Sequence, residues 1–429
     1  MEARPASLTA YFRLLRTNRN FRLLWFAQIV SEIGDWFYAV AIYSLLFEYT
    51  GSGRAVALAF VMQVLPQFFI APAAGVINDR ISRKKVMIFA DWTRAGIVLC
   101  MILVRGPAMV WLIYPLLCLE TLMWGLFEPG HNAVIPNIAR EDQVVTANAL
   151  SSMTWSMNFA IGFSLGGIAA AWLGREAVFV LNAGSFVLSA LFLSRMRFLE
   201  PHADDRPPLK ARDLMDFSPI AEGIRYVMRD RRLRVTIFVK AGLGFMGANW
   251  VLVPVFGERV FPLHVGGFTS QQAGMLGMSF LMGCRGLGAI VGPLVSGRWA
   301  ARDERRMRLG ILYGFLAAGI GYVALGLSPG YGIWLASCAL VLAHGGGSTL
   351  WVFSSTLLQL QTEDRFRGRV FSAEFAFSVL TMSVSSYTAG AFIDGGASPG
   401  RVAMGVGLVM MAPAMAWAYA LVGLRRTSE

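Results

Sequence analysis

The stretch GVINDRISRKK, Gly75 to Lys85, sets Arg80, Arg83, Lys84 and Lys85, with the single acid Asp79, between two long apolar runs at 54–77 and 85–104. Each run approaches the roughly 20 residues that a helix needs to cross about 30 Å of hydrocarbon. A short basic turn between two such helices is a loop at one face of a bilayer.

Working outward, the same pattern recurs along the 429 residues. The chain is 56% hydrophobic and only 15% charged, with a mean hydropathy of +0.55, far more apolar than a soluble chain of this size. Twelve spans are predicted, at 21–47, 54–77, 85–104, 109–130, 148–172, 176–198, 236–260, 270–296, 307–327, 331–358, 370–393 and 402–424. These lengths fit helices and not barrel strands.

The formal charge of +12 invites a nucleic-acid partner, but the placement of the 38 Lys and Arg residues explains it otherwise. With twelve spans, 30 fall on one side, five (Arg54, Arg105, Arg175, Arg259 and Arg401) on the other, and Arg94, Lys240 and Arg285 within spans. This positive-inside bias predicts a multi-pass inner-membrane protein with both termini in the cytoplasm and no nucleic-acid partner. The basic N-terminus (Arg4, Arg13, Arg16, Arg19, Arg22) leads into a run too long for a cleaved signal, so it reads as an anchor. Cys100, Cys118, Cys284 and Cys338 lie within spans and show no disulfide or metal spacing.

Hydropathy collapses between the sixth and seventh runs. The expected organisation is a six-helix half at 1–199, a cytoplasmic linker at 200–235 and a second six-helix half at 236–429. Within the linker, Ile220, Ile224 and Val227 fall opposite Arg225, Arg229 and Arg232 at helical spacing. That segment reads either as an amphipathic helix on the anionic leaflet or as an ordinary basic linker.

At every defined position GVINDRISRKK resembles G-x-x-x-D-R-x-x-R-[RK], the signature loop of the major facilitator superfamily, through Gly75, Asp79, Arg80, Arg83 and Lys84. The resemblance implies an all-α membrane fold of two pseudo-symmetric halves, with this loop a cytoplasmic latch against the start of span 11 near Arg369. Gly75 would permit a close helix approach. The counterpart after span 8, GPLVSGRWAARDERR from Gly292, has Gly297 where the acid would stand. Three further stretches, NRNFRLLWFAQIVSEIGDW, EPGHNAVIPNIAREDQVVTANAL and LLQLQTEDRFRGRVFSAEF, resemble the bacterial drug and siderophore exporters, a group with enterobactin exporters and macrolide efflux proteins. Two features depart from proton antiporters of this kind: Phe163 follows Gly162 where proline is common, and span 4 carries Glu120 instead of arginine and glutamine.

No G-x-x-x-x-G-K-[ST] is present to cradle ATP, and His131, His202, His264 and His344 stand apart with no metal-ligand spacing. The expectation is therefore a gradient-driven transporter, with no enzymatic activity, cofactor or metal centre.

Ionisable groups inside spans cost about 3 kcal/mol or more each at mid-helix, so they are the site candidates. Span 1 aligns Gln28, Glu32 and Asp35 on one face, where two carboxyls so close together either suit a proton carrier or are tied to a basic or hydroxyl neighbour in packing. Among Arg94, Lys240 and Arg285, the last is favoured as counter-ion to these acids or to an anionic substrate, and Lys240 is expected to snorkel. Asp91 and Arg94, just after the signature loop, are assigned to the latch. Glu120, Trp124, Trp155 and Asn158 in the first half, and Asn249, Glu374 and Tyr387 in the second, complete the predicted cavity lining. Each of these serves equally well as an interhelical hydrogen bond or interfacial aromatic. Glu128, His131, Glu258 and Asp394 are expected at span ends, facing water.

The combined expectation is a monomeric, alternating-access exporter of an amphipathic small molecule, coupled to protons. A lysophospholipid or metal-ion transporter of the same fold and a non-transporting receptor or scaffold remain the alternatives.

Overall fold

In the computed structural model, residues 8–200, 216–300 and 303–425 are described. Arg4 and the linker segment 201–215 lie outside them.

Twelve helices are long and apolar enough to cross a membrane, and the described residues contain no strand. The short α1 (Leu8–Thr17) precedes α2 (Arg19–Thr50), α3 (Gly53–Arg80), α4 (Arg83–Cys100), α5 (Ile113–Ile138), α6 (Val144–Leu173) and α7 (Arg175–Ser194), which make the first six spans. After α8 (Ser218–Arg229), the seventh span is built from α9 (Arg231–Leu243) and α10 (Asn249–Val255). Then come α11 (Ser270–Ala300), α12 (Glu304–Leu327), α13 (Ile333–Gln361) and α14 (Asp364–Asp394). The pair α15 (Pro399–Val409) and α16 (Met411–Arg425) makes the twelfth span.

Helices are the only open-ended way to satisfy every backbone amide in oil, and the ends here are finished by local caps. Ser82 accepts from the Lys85 amide at the start of α4, and Asp303 accepts from the Arg305 and Arg306 amides at the start of α12. Gly51 takes φ +60° in the two-residue turn between α2 and α3, a conformation that costs glycine little. The seventh span is the irregular one: 3₁₀ geometry over Gly244–Ala248, Pro254 within α10, and a π turn over Phe256–Val260. Proline removes one ladder donor, and the turn beyond it widens to re-pair the backbone.

By packing, the described residues form two units. One comprises Met1–Ile42 and Phe69–Asp216, the other Tyr43–Phe68 and Phe217–Glu429. In the first unit, α4 packs against α5 and α7. The core under α1 includes Leu14, Phe21, Leu24, Phe127 and Val134. In the second, α13 lies between α11 and α12, and α14 packs on α8 and α9.

The helix predicted in the linker is present as α8, but its apolar face is covered by protein. Val227 joins Leu233, Ile237, Leu358, Val370 and Ala373 in one core, with Ile220 and Ile224 packed against it. A Cβ at Gly223 would collide with the Arg369 carbonyl, which is how closely α8 approaches α14.

The glycine reading in the signature loop needs correction as well. A Cβ at Gly75 would meet open space. The close approach of the second and fourth spans falls to glycines of α5: a Cβ at Gly125 would strike Ile70, and one at Gly130 would lie 2.5 Å from Asn78 Oδ1.

Candidate functional site

Three helices of the first unit carry a polar cluster built on a buried arginine. On α2, Ser31, Glu32 and Asp35 face inward. From α4 comes Arg94, 1% exposed, the largest of the fully buried side chains. Its Nη2 stands 2.6 Å from Asp35 Oδ2, its Nε 2.8 Å from Glu120 Oε1 on α5, and its Nη1 3.7 Å from Asp91 Oδ1 one turn back on α4. The guanidinium lies 4.0 Å over the Phe186 ring. Asp91 accepts from Ser189 Oγ at 2.6 Å, and Glu120 from the Tyr38 hydroxyl at 3.3 Å. One guanidinium thus serves three carboxyl groups.

Glu32 is held differently. Its Oε1 accepts from Gln28 Nε2 at 2.9 Å and its Oε2 from Asn158 Nδ2 at 2.8 Å, and Gln28 also donates to the Ser151 carbonyl. Both partners are neutral amides. Asp35 Oδ1 is buried with no hydrogen bond among the described residues.

A narrow cleft, part of it open to solvent, runs along this cluster. Gln28, Glu32, Asp35, Arg94 and Trp124 line it, together with Glu128 and His131. Those last two were expected in water at the end of the fourth span. The helix instead runs on to Ile138, which keeps them inside it, and His131 is 3% exposed, stacked on Phe127, with Nε2 unbonded among the described residues. The signal was present in the sequence. Glu120, Trp124, Glu128 and His131 step by four, four and three residues, a single helical stripe.

Two assignments move. Asp91 and Arg94 belong to this buried cluster and not to the loop: they lie about 12 and 16 Å of helical rise from Arg83, too deep to join a surface turn. Within the first unit the cation bound to Asp35 is Arg94.

Behind the cluster, α6 leans on α2 through small residues. A Cβ at Gly162 would lie 2.6 Å from Trp36 Cβ, and one at Gly166 2.7 Å from Phe37 Cα. Trp36 meets Phe159, Phe163 and Trp155 at ring distances of 4.7, 5.2 and 6.1 Å. Phe163, out of pattern for an antiporter, is buried in this aromatic group.

The second unit has its own polar groups. Lys240 does not snorkel: Nζ bonds Glu374 Oε2 at 2.8 Å, both residues are buried, and the ammonium lies 4.0 Å over Trp351. Arg285 stands 4.5 Å over Trp250. Asn249 donates to the Met246 carbonyl, which ties it to its own helix. Tyr387 is about half uncovered.

In the loop, Asp79 is exposed and stands 3.7 Å from Arg83. Arg83 also donates to the Asn78 and Ala133 carbonyls, and Lys84 to those of Ser194 and Met196. These bonds tie the turn to α5 and to the end of the sixth span. Arg369 pairs with Glu222 of α8 at 2.8 Å. Among the described residues no three His, Cys, Asp or Glu gather as metal ligands.

Comparison with known proteins decides what kind of membrane protein carries this polar cleft. The profile of the transmembrane secretion effector family matches residues 10–426. The chain belongs to that family. This transporter is 25% identical to macrolide efflux protein A of Streptococcus pyogenes, over 87% of its own length and 89% of that protein's. It is 24% identical to the putative bacilysin exporter BacE of Bacillus subtilis, over 86% and 87%. With YkuC of B. subtilis, an uncharacterized MFS-type transporter, it shares 26% identity over 65% of each chain, so that match covers just under two thirds of the relative.

The solved nucleoside transporter NupG superposes with a TM-score of 0.72 at 12% identity, over 94% of this chain and 98% of that one. A peptide-bound POT family transporter gives 0.74 at 11% identity, over 96% and 97%. These structures establish the major facilitator fold. The protein is a multi-pass membrane transporter of that type with efflux-like relatives, and not an enzyme.

Proposed function

We propose that this transporter exports an amphipathic small molecule in exchange for protons, from a bacterial inner membrane in which both termini are cytoplasmic. The observation that carries the reading is Glu32. A half-buried carboxyl held by two neutral amides can gain or lose a proton without stranding a charged partner, because Gln28 and Asn158 each present both donor and acceptor atoms.

Asp35 sits beside it and shares Arg94 with Glu120 and Asp91. Three carboxyls on one guanidinium leave excess negative charge in a poorly solvated place, which protons offset. In the proposed cycle, Glu32 and Asp35 load protons from outside as cargo leaves and release them inward. The signature loop opens and closes the cytoplasmic side. Trp124 in the cleft lining offers aromatic surface to an amphipathic cargo, as would suit exporters of the type named among the relatives.

The test is proton-driven flux in proteoliposomes loaded with fluorescent amphipathic compounds, comparing Glu32→Gln and Asp35→Asn with the unsubstituted protein. Flux that follows an imposed pH gradient and disappears when both acids are neutralised supports the reading. Gradient-driven flux unchanged in the double variant would exclude it.

A further inference from the structure

The turn joining α2 and α3 packs within the second unit, and five hydrogen bonds hold it there. Asp394, the last residue of α14, accepts from Ser52 Oγ at 2.6 Å, from the Gly53 amide at 2.6 Å and from the Arg54 amide at 3.1 Å. Arg259 Nη2 donates to the Gly51 carbonyl at 2.5 Å, with its guanidinium 5.1 Å over Phe47. Gln271 Nε2 donates to Glu48 Oε2 at 2.6 Å. Deeper in, Phe60 stacks on Trp250 at 4.9 Å.

Helix α3 does not need Asp394 in order to form. Ser52 already accepts from the Ala55 amide at 3.2 Å, the local cap of a helix start. A second acceptor, arriving from 340 residues further along, is therefore a contact between elements and not a local cap. It is well matched: a carboxylate meets free amides where the partial positive charge of the helix collects.

One turn before Asp394, α14 carries Gly390, and here a glycine is required. A Cβ at Gly390 would lie 2.6 Å from the Gly53 carbonyl oxygen and 3.0 Å from the Arg54 nitrogen. The small residue brings the two backbones together and so sets the acid against the amides. The pair is also legible as a pattern: Gly390 to Asp394 reads GAFID and Gly75 to Asp79 reads GVIND, the same G-x-x-x-D at the ends of the eleventh and second spans.

We propose that Gly390 and Asp394 form a reversible clasp that holds the α2–α3 turn on the ends of the seventh, eighth and eleventh spans. The clasp would be the device that sets how often this end of the bundle opens. It is polar and lies at the rim of the spans, where water can replace its hydrogen bonds, so it can release without exposing a large apolar face. The proposal does not depend on which cargo or ion is carried.

The experiment is pulsed dipolar EPR on the full chain in nanodiscs, with spin labels at Thr50→Cys and Ala397→Cys and the four native cysteines replaced. The unsubstituted clasp should give a distribution dominated by the short distance. Asp394→Ala should move the ratio of separated to docked turns about tenfold toward separated, since it removes three hydrogen bonds, one from a hydroxyl and two from amides, to a charged acceptor. Asp394→Asn should move it less. Gly390→Val, which acts by bulk and leaves the acid in place, should move it in the same direction. An unchanged distribution in both Asp394→Ala and Gly390→Val would overturn the clasp. So would loss of helical circular dichroism in all three variants without redistribution, which would make the contact a structural cap.

Discussion

Arg94 Nη2 stands 2.6 Å from Asp35 Oδ2, joining the third span to the first across 59 residues of sequence. The same guanidinium binds Glu120 and faces Asp91, so a single cation holds three acids in the core of the first unit. Removing it strands charge in a place that water hardly reaches. Arg94→Met is expected to destabilise the protein by about 3–5 kcal/mol, the cost of an uncompensated buried charge. Arg94→Lys, which keeps the charge but loses the fork that reaches two carboxyls at once, should lose less. Thermal unfolding in detergent, followed by tryptophan fluorescence, checks the order.

Glu32 should behave in the opposite way. Glutamine fits the same space and keeps an acceptor for one of the two amide donors, so Glu32→Gln should hold stability within about 1 kcal/mol of the parent. Gradient-driven flux should fall by at least tenfold. A stable protein with full flux would remove Glu32 from the coupling role.

Lys240 and Glu374 offer a double-mutant test. Lys240→Met alone leaves the buried Glu374 carboxylate unpaired and should cost about 3–5 kcal/mol. Adding Glu374→Leu should recover most of that loss, since an apolar pair of similar volume is often as stable as a buried ion pair. Melting temperatures of both singles and the double settle the sign of the coupling.

The glycines of α6 and of the signature loop should separate by packing alone. Gly166→Val places a methyl-bearing carbon against the Phe37 backbone and should cost about 1–3 kcal/mol, through separation of the fifth span from the first. Gly75→Ala meets open space and should leave the melting temperature unchanged in this conformation. A transport defect in Gly75→Ala at normal stability would show that the glycine acts in another conformation.

The twelve spans were readable from residues because hydropathy is local. A run of apolar side chains near bilayer length reports its own environment. The expected and observed spans agree closely, apart from the longer α5, where Pro129 and Pro136 sit inside a continuing helix and carry Glu128 and His131 with it. Proline reads as an end in water, yet neighbouring helices in a bundle can satisfy the freed carbonyls.

Pairing is another matter. Which acid meets Arg94, why Lys240 is buried on Glu374, and why α8 covers protein instead of lipid all depend on how each helix is rotated about its axis and which neighbour it faces. The sequence by itself determined the membrane class, the helices and the candidate charged residues. Only the tertiary structure decided their partners, because a charge's partner is set by side chains tens of residues away that packing alone brings within 3 Å.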